Sequence, residues 1–124
     1  MRVIEISGIP KIMITKKHIK IAESILEFEW NSKGMCIVEV DSKKITLAKF
    51  QEKLFAFAHT CPHAGGIMAD GYIDALGNAV CPLHRYKFSL KTGRNATGED
   101  FLKTYSTEIN DNGVFVIFEQ KSWF

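Results

Sequence analysis

The sequence predicts an all-β fold, a sandwich or barrel with a pair of loops inserted as a hairpin-like subdomain. Three observations predict it. Apolar residues fall in short runs of roughly four to eight, the length of strands rather than helices. Turn-forming residues interrupt these runs along the whole chain. Two matched loops, Cys61-Pro62-His63 and Cys81-Pro82-Leu83-His84, follow directly on strand-like segments. At 124 residues the chain fits one domain, residues 1–124, with enough length for a genuine core.

Taken in order, the N-terminal region is the least defined. Ile19, Ala22 and Leu26 fit a helical stripe with Thr15 as N-cap, whereas Leu26, Phe28 and Trp30 alternate as in a strand. A strand is expected from Ile25, and residues 11–24 stay open. Met35 to Val40 is rich in β-formers and ends at Asp41-Ser42-Lys43. Ile45 to Phe50 alternates and breaks at Gln51-Glu52-Lys53. Leu54 to Ala58 is continuously apolar, as in a buried strand, and it leads into the first loop.

Between the loops, Gly71 to Val80 reads as a small hairpin turning at Gly77-Asn78, and its second arm runs into Cys81. Phe88 to Leu90 is a short strand stopped at Thr92-Gly93. Phe101 to Ile109 alternates, Asp111-Asn112-Gly113 turns, and Val114 to Phe118 returns as the other arm of a hairpin.

Bulk properties exclude several classes. Sixteen basic and 14 acidic residues leave a net charge of +2, which points to no nucleic acid. The first 20 residues are more basic, with Arg2, Lys11, Lys16, Lys17 and Lys20 against Glu5, a solvated face or a patch for an acidic partner. No run approaches the roughly 18 apolar residues of a membrane span, and the start lacks a signal peptide's apolar stretch, so a cytoplasmic protein is expected. Three cysteines, two of them in the loops, do not make a disulfide framework. Asn95-Ala96-Thr97 fits a glycosylation pattern and is read as a surface turn.

The loops carry the chemistry. C-x-H and C-x2-H supply two thiolates and two imidazoles, a donor set for zinc or for a two-iron cluster with mixed ligation. Structural zinc sites favour C-x2–4-C or H-x3–5-H pairs, so the spacing here is unusual for zinc. A binuclear cluster uses the pattern more naturally, because two near-mirror loops can each give a sulfur to one iron and an imidazole to the other. Pro62 and Pro82 stiffen the loops. Gly65-Gly66 and Gly71 give the freedom needed to curl backbone N–H groups toward a cluster.

The segments Cys-Pro-His-Ala-Gly-Gly (61–66), Cys-Pro-Leu-His (81–84) and Tyr-Lys-Phe-Ser-Leu-Lys-Thr-Gly (86–93) resemble Rieske iron–sulfur proteins, most closely the soluble Rieske-type ferredoxins. The likeness is strong over residues 55–93 and extends over about 25–120. It implies one [2Fe-2S] cluster per chain, with Cys61 and Cys81 on the inner iron and His63 and His84 on the outer iron near the surface. It also implies a β-sandwich base domain with a small rubredoxin-like cluster-binding subdomain at about residues 59–90.

Departures from the relatives carry meaning. Rieske proteins of respiratory cytochrome bc complexes join their cluster loops by a disulfide; the matching positions here are Gly66 and Leu83. Those proteins also place serine and tyrosine hydroxyls near the cluster, where this chain has Tyr86 and Phe88. Fewer donors to sulfur imply a low potential, on the order of −150 mV. Arg85 stands where many ferredoxin-type relatives have glycine, as a docking charge or a solvated tip.

The remaining residues offer little for catalysis. Only His18 and His59 are left over for a mononuclear iron site of two histidines and a carboxylate; His59 ends a strand two residues before Cys61, and the chain has no room for a catalytic domain. His59 reads as a strand-end residue, His18 as a surface residue and Cys36 as a buried thiol. Ile67, Met68 and Leu83 form a shielding mini-core, an apolar docking rim, or both. Ser122-Trp123-Phe124 packs on the base domain.

The reading favoured is a one-electron carrier and not an enzyme, serving a reductase and a terminal oxidoreductase such as an oxygenase. Alternatives are a small subunit of a larger oxygenase or nitrite reductase, and a structural zinc module. Surface histidines as electron exit imply a potential that falls as pH rises.

Overall fold

The computed structural model describes residues 2–4, 12–96, 98 and 100–123; Glu5, Lys11, Thr97 and Phe124, named above, lie outside the described residues. Among the described residues ten strands follow one another: β1 (Arg2–Ile4), β2 (Ile12–Ala22), β3 (Met35–Val40), β4 (Lys43–Phe50), β5 (Lys53–Ala58), β6 (Tyr72–Ile73), β7 (Asn78–Val80), β8 (Lys87–Ser89), β9 (Thr104–Asn110) and β10 (Gly113–Trp123). The only helical pieces among the described residues are 3₁₀ turns at Ile25–Glu27 and Met68–Asp70. None of the helical pieces is long and apolar enough to cross a membrane.

A seven-stranded antiparallel sheet runs β1-β2-β10-β9-β5-β4-β3, and a three-stranded sheet runs β6-β7-β8. The large sheet curls on itself. Cys36, Ile45, Leu47, Leu54 and Ala56 from one half pack in a single core with Val114 and Val116 from the other. Its opposite face supplies Met35, Ala48 and Phe57 to a second core, shared with Met68, Ala79, Phe88, Leu90 and Leu102. Both faces of β4 and β5 are therefore buried, which explains why Leu54 to Ala58 is apolar without alternation. This second core fixes the small sheet, and with it the two loops, onto the base.

Tight turns link β3 to β4 and β4 to β5 through Asp41-Ser42 and Gln51-Glu52, all four residues at positive φ between 50° and 65°. Val40 pairs with Lys43 and Phe50 with Lys53, so each is a two-residue hairpin of the twist-matched kind.

The strand expected from Ile25 is corrected. Ser24 is an N-cap: its Oγ accepts from Leu26 N–H, and the Glu27 carboxylate accepts from the backbone N–H of Ser24, a complete capping box that winds residues 25–27 into a 3₁₀ turn. Leu26 is left 87% exposed, while Trp30 Nε1–H donates to the Ile25 carbonyl at 2.9 Å. The open stretch before it is strand, not helix. Thr15 pairs with Gln120 in β10 rather than capping anything. At the other end Ser122 and Trp123 pair with Met13 and Ile12. Asn95 is buried and bridges to Phe88, while Ala96 beside it is exposed and Gly98 N–H donates to the Asn95 carbonyl at 2.8 Å, so the motif forms a turn whose asparagine is buried.

Candidate metal centre

The two loops close in the same way. Cys61 N–H donates to the Gly66 carbonyl and Cys81 N–H to the Tyr86 carbonyl, each at 2.8 Å and each spanning five residues. The first loop follows β5 and is clasped by a Thr60–Ile67 bridge and by Met68 N–H donating to the His59 carbonyl at 2.9 Å. The second follows β7 and returns as β8. Four residues after each cysteine the backbone turns left-handed, at Gly65 (φ 74°) in one loop and Arg85 (φ 57°) in the other, joined there by His84 (φ 62°). Glycine takes that conformation without a steric penalty; Arg85 and His84 do not.

This closure puts the thiols inside and the imidazoles outside. Cys61 is 3% and Cys81 0% exposed, whereas the His63 side chain is 47% exposed and His84 is also at the surface. Burial pushes the Cys81 thiol above its ordinary pKa and the neighbouring Cys61 thiol adds to this, while N–H groups of Leu83 and Gly66 directed at the sulfur pull the other way. Ala64 N–H donates to Cys61 Sγ at 3.5 Å. Gly66 leaves the space these sulfurs need, since a Cβ there would stand 3.0 Å from Cys81 Sγ and 3.1 Å from Leu83 Cγ.

All four sequence-selected residues come to one pole of the molecule, and two more join them. The Tyr86 ring lies 4.1 Å from the His63 ring and 6.2 Å from the His84 ring, a shared wall for both imidazoles. Asp100 Oδ2 accepts from His63 Nδ1 at 2.7 Å. Sequence reading missed Asp100, which is 37 residues from its partner and belongs to no local motif.

The donor set fits a group with two metals. Two buried thiols and two surface imidazoles are the donor types of a two-iron cluster with mixed ligation. His18 and Cys36 belong to the large sheet, while His59, Ile67, Met68 and Leu83 lie in or beside the two loops. His18 is exposed, 3.9 Å from Glu108. Among the described residues, His59 Nδ1 is buried with no hydrogen-bond partner. Cys36 is a buried thiol in β3, pushed by burial to about 11. Met68 is fully buried, while Ile67 and Leu83 are 38% and 48% exposed, so this apolar set divides into core and rim. Phe88 is fully buried and supplies no hydroxyl.

Comparison with known proteins agrees with this geometry. The sequence profile of the Rieske [2Fe-2S] domain matches residues 22–106. The ferredoxin component of the naphthalene 1,2-dioxygenase system of Pseudomonas putida is 30% identical over 82 residues, 64% of this chain and 77% of that protein. The fold resembles that in a solved complex of reduced oxygenase and oxidised ferredoxin in carbazole 1,9a-dioxygenase, with a TM-score of 0.64 and 19% identity over 80% of this chain and 91% of that one. It also resembles a structure assigned to the small subunit of an NADPH nitrite reductase, with a TM-score of 0.68 and 19% identity over 81% and 97% of the two chains. The matched profile covers more than half of the sequence and includes both cysteine–histidine loops, and the chain belongs to the Rieske [2Fe-2S] domain family.

Proposed function

We propose that Cys61, His63, Cys81 and His84 hold one [2Fe-2S] cluster, the thiolates on the inner iron and the imidazoles on the outer one. The observation that carries this is the matched closure of the two loops, with both sulfurs buried and both imidazoles at the surface. When bound, such a cluster is a one-electron redox centre. The protein's own groups do the rest: buried backbone N–H groups face the sulfurs, Tyr86 walls the imidazoles, and Ile67 and Leu83 present an apolar rim beside them.

The chain is a one-electron carrier of the cytoplasm, taking electrons from a reductase and passing them to a terminal oxidoreductase, most simply an oxygenase. Its likeness to a dioxygenase-system ferredoxin component and to a ferredoxin solved in complex with its oxygenase supports this reading. It forms one domain, with the cluster-bearing subdomain at about residues 59–90. The test is stopped-flow transfer: a flavin-dependent NADH reductase should reduce the loaded protein by one electron per cluster, and a Rieske oxygenase should reoxidise it. Failure to accept any electron from either dithionite or the reductase would contradict the assignment.

A second reading, a small subunit of a larger oxidoreductase, is favoured by the fold likeness to the nitrite reductase subunit. Stable co-purification with a large partner distinguishes it.

A further inference from the structure

A groove of about 640 Å³ opens at the end of the molecule away from the cysteine–histidine loops. The strand register builds it. Thr104 pairs with Phe57 and Ser106 with Ile117, so alternation sets Phe55, Phe57, Thr104, Ser106, Ile117 and Glu119 on one face of the large sheet. The small sheet covers that face at Phe57, within the second core. At Leu90 and Lys91 the small sheet has ended, and the same face lines the groove with Phe55 half-buried. β5 starts at this end and leads to the first loop, while β8 starts at the second loop and leads here. The groove and the loops therefore lie at opposite ends of the same strands.

Its rim is cationic. Lys43, Lys91 and Lys103 line it, all exposed, and among the described residues they form no ion pair. The one carboxylate on the described wall, Glu119, faces Lys16 at 4.0 Å. Thr107 Oγ1 donates to the Leu54 carbonyl at 2.8 Å, which leaves Thr104 and Ser106 as hydroxyl donors. A smaller crevice of about 180 Å³ adjoins, sharing Phe55, Leu90 and Lys91 and adding Lys53. Ammonium groups around one concavity repel each other and raise the local positive potential, so a bound anion relieves that repulsion as well as adding attraction. Lysine holds phosphate as a point charge and hydroxyls add donors, while among the described residues no arginine fork lines the wall to favour a planar carboxylate. The volume is that of a small-molecule site.

We propose that this groove binds a phosphorylated small molecule, its phosphates held among Lys43, Lys91 and Lys103 and its apolar part resting on Phe55 and Ile117. The site does not depend on the cluster ligands, and its occupant leaves the exposed imidazoles free to meet an electron partner.

The experiment titrates the full chain, as purified, with adenosine diphosphate and with inorganic pyrophosphate at low ionic strength, followed by calorimetry and by amide NMR shifts. Both probes should bind, with shifts concentrated at residues 90–91, 103–107 and 117–119. Lys91→Gln and Lys103→Gln should each weaken binding about three- to tenfold, Lys103→Arg should stay within about twofold of the parent, and Lys121→Gln, an exposed lysine of β10 outside the groove, should leave it unchanged. An affinity unmoved in the Lys91→Gln, Lys103→Gln double variant, or shifts spread evenly over the exposed lysines, overturns the proposal. Citrate binding as tightly as either probe overturns the assignment to phosphate. A poly-glutamate peptide that occupies the groove where both phosphate probes fail would make it a protein-docking surface and overturn the small-molecule assignment.

Discussion

The rings of His63 and Tyr86 lie 4.1 Å apart, tilted by 58°, and the same tyrosine reaches His84 edge-on at 6.2 Å. One side chain thus serves both loops, although it belongs to the second. Tyr86→Ala should destabilise the cluster-free chain by more than about 0.5–1.5 kcal/mol, the worth of one aromatic pair, since the ring also gives up the area it buries against the second core, and Tyr86→Phe should stay near the parent. Urea unfolding followed by tryptophan fluorescence checks this. Equal midpoints for the alanine variant and the parent would remove Tyr86 from the energetics of the pole.

Arg85 occupies the left-handed position that Gly65 fills in the first loop. A residue with a Cβ gives up roughly 1–2 kcal/mol there, and glycine recovers that at a cost of about 0.5–1 kcal/mol in unfolded-chain entropy. Arg85→Gly should therefore raise stability by about 0.5 kcal/mol and shift the urea midpoint upward. Arg85→Val, branched at Cβ, should lower it.

Gly71 and Gly66 separate fold from site. An alanine Cβ at Gly71 would fall 1.8 Å from the Val80 carbonyl oxygen, a backbone clash inside the small sheet. Gly71→Ala should cost about 2–4 kcal/mol or prevent folding. At Gly66 the nearest neighbours are Cys81 Sγ and Leu83, so Gly66→Ala should leave the circular dichroism unchanged and reduce the iron retained after gel filtration. Full iron content in that variant would contradict the close approach.

Cys36 sets a pH dependence remote from the site. Its thiol has an ordinary value of 9.0 and is raised to about 11 by burial in β3, so the folded chain keeps a proton that the unfolded chain releases. Its contribution to stability is complete below pH 9 and is lost as pH climbs toward 11, at most about 2–3 kcal/mol by linkage. Subtracting the unfolding profile of Cys36→Ala from that of the parent isolates it. The difference should be flat from pH 6 to about 8.5 and fall above that. A difference that rises with pH would be the wrong sign.

Much of this structure was legible in the chain. Met35–Val40 forms as read, and the turns at Asp41-Ser42, Gln51-Glu52 and Asp111-Asn112 fall where polar residues interrupt apolar runs. Those strands are specified locally, by β-branched and aromatic residues bounded by turn formers. The error at Ile25 had a local signal too, Ser24-x-x-Glu27, which competes with the alternation of Leu26, Phe28 and Trp30 and wins because both ends of the cap are satisfied. The four loop residues were found because cysteine–histidine spacing is itself local. Asp100 and the ring of Tyr86 could not be placed, because what brings them to His63 is the packing of the β8–β9 loop and of the second cysteine loop on the first.

The most direct measurement is the iron, zinc and acid-labile sulfide content of the freshly purified protein, read with its visible spectrum. Two irons and two sulfides per chain are expected, in a red-brown protein whose colour is lost when His63 and His84 are both replaced. A colourless protein holding zinc without sulfide, or a spectrum indifferent to both replacements, would contradict a cluster held between these loops.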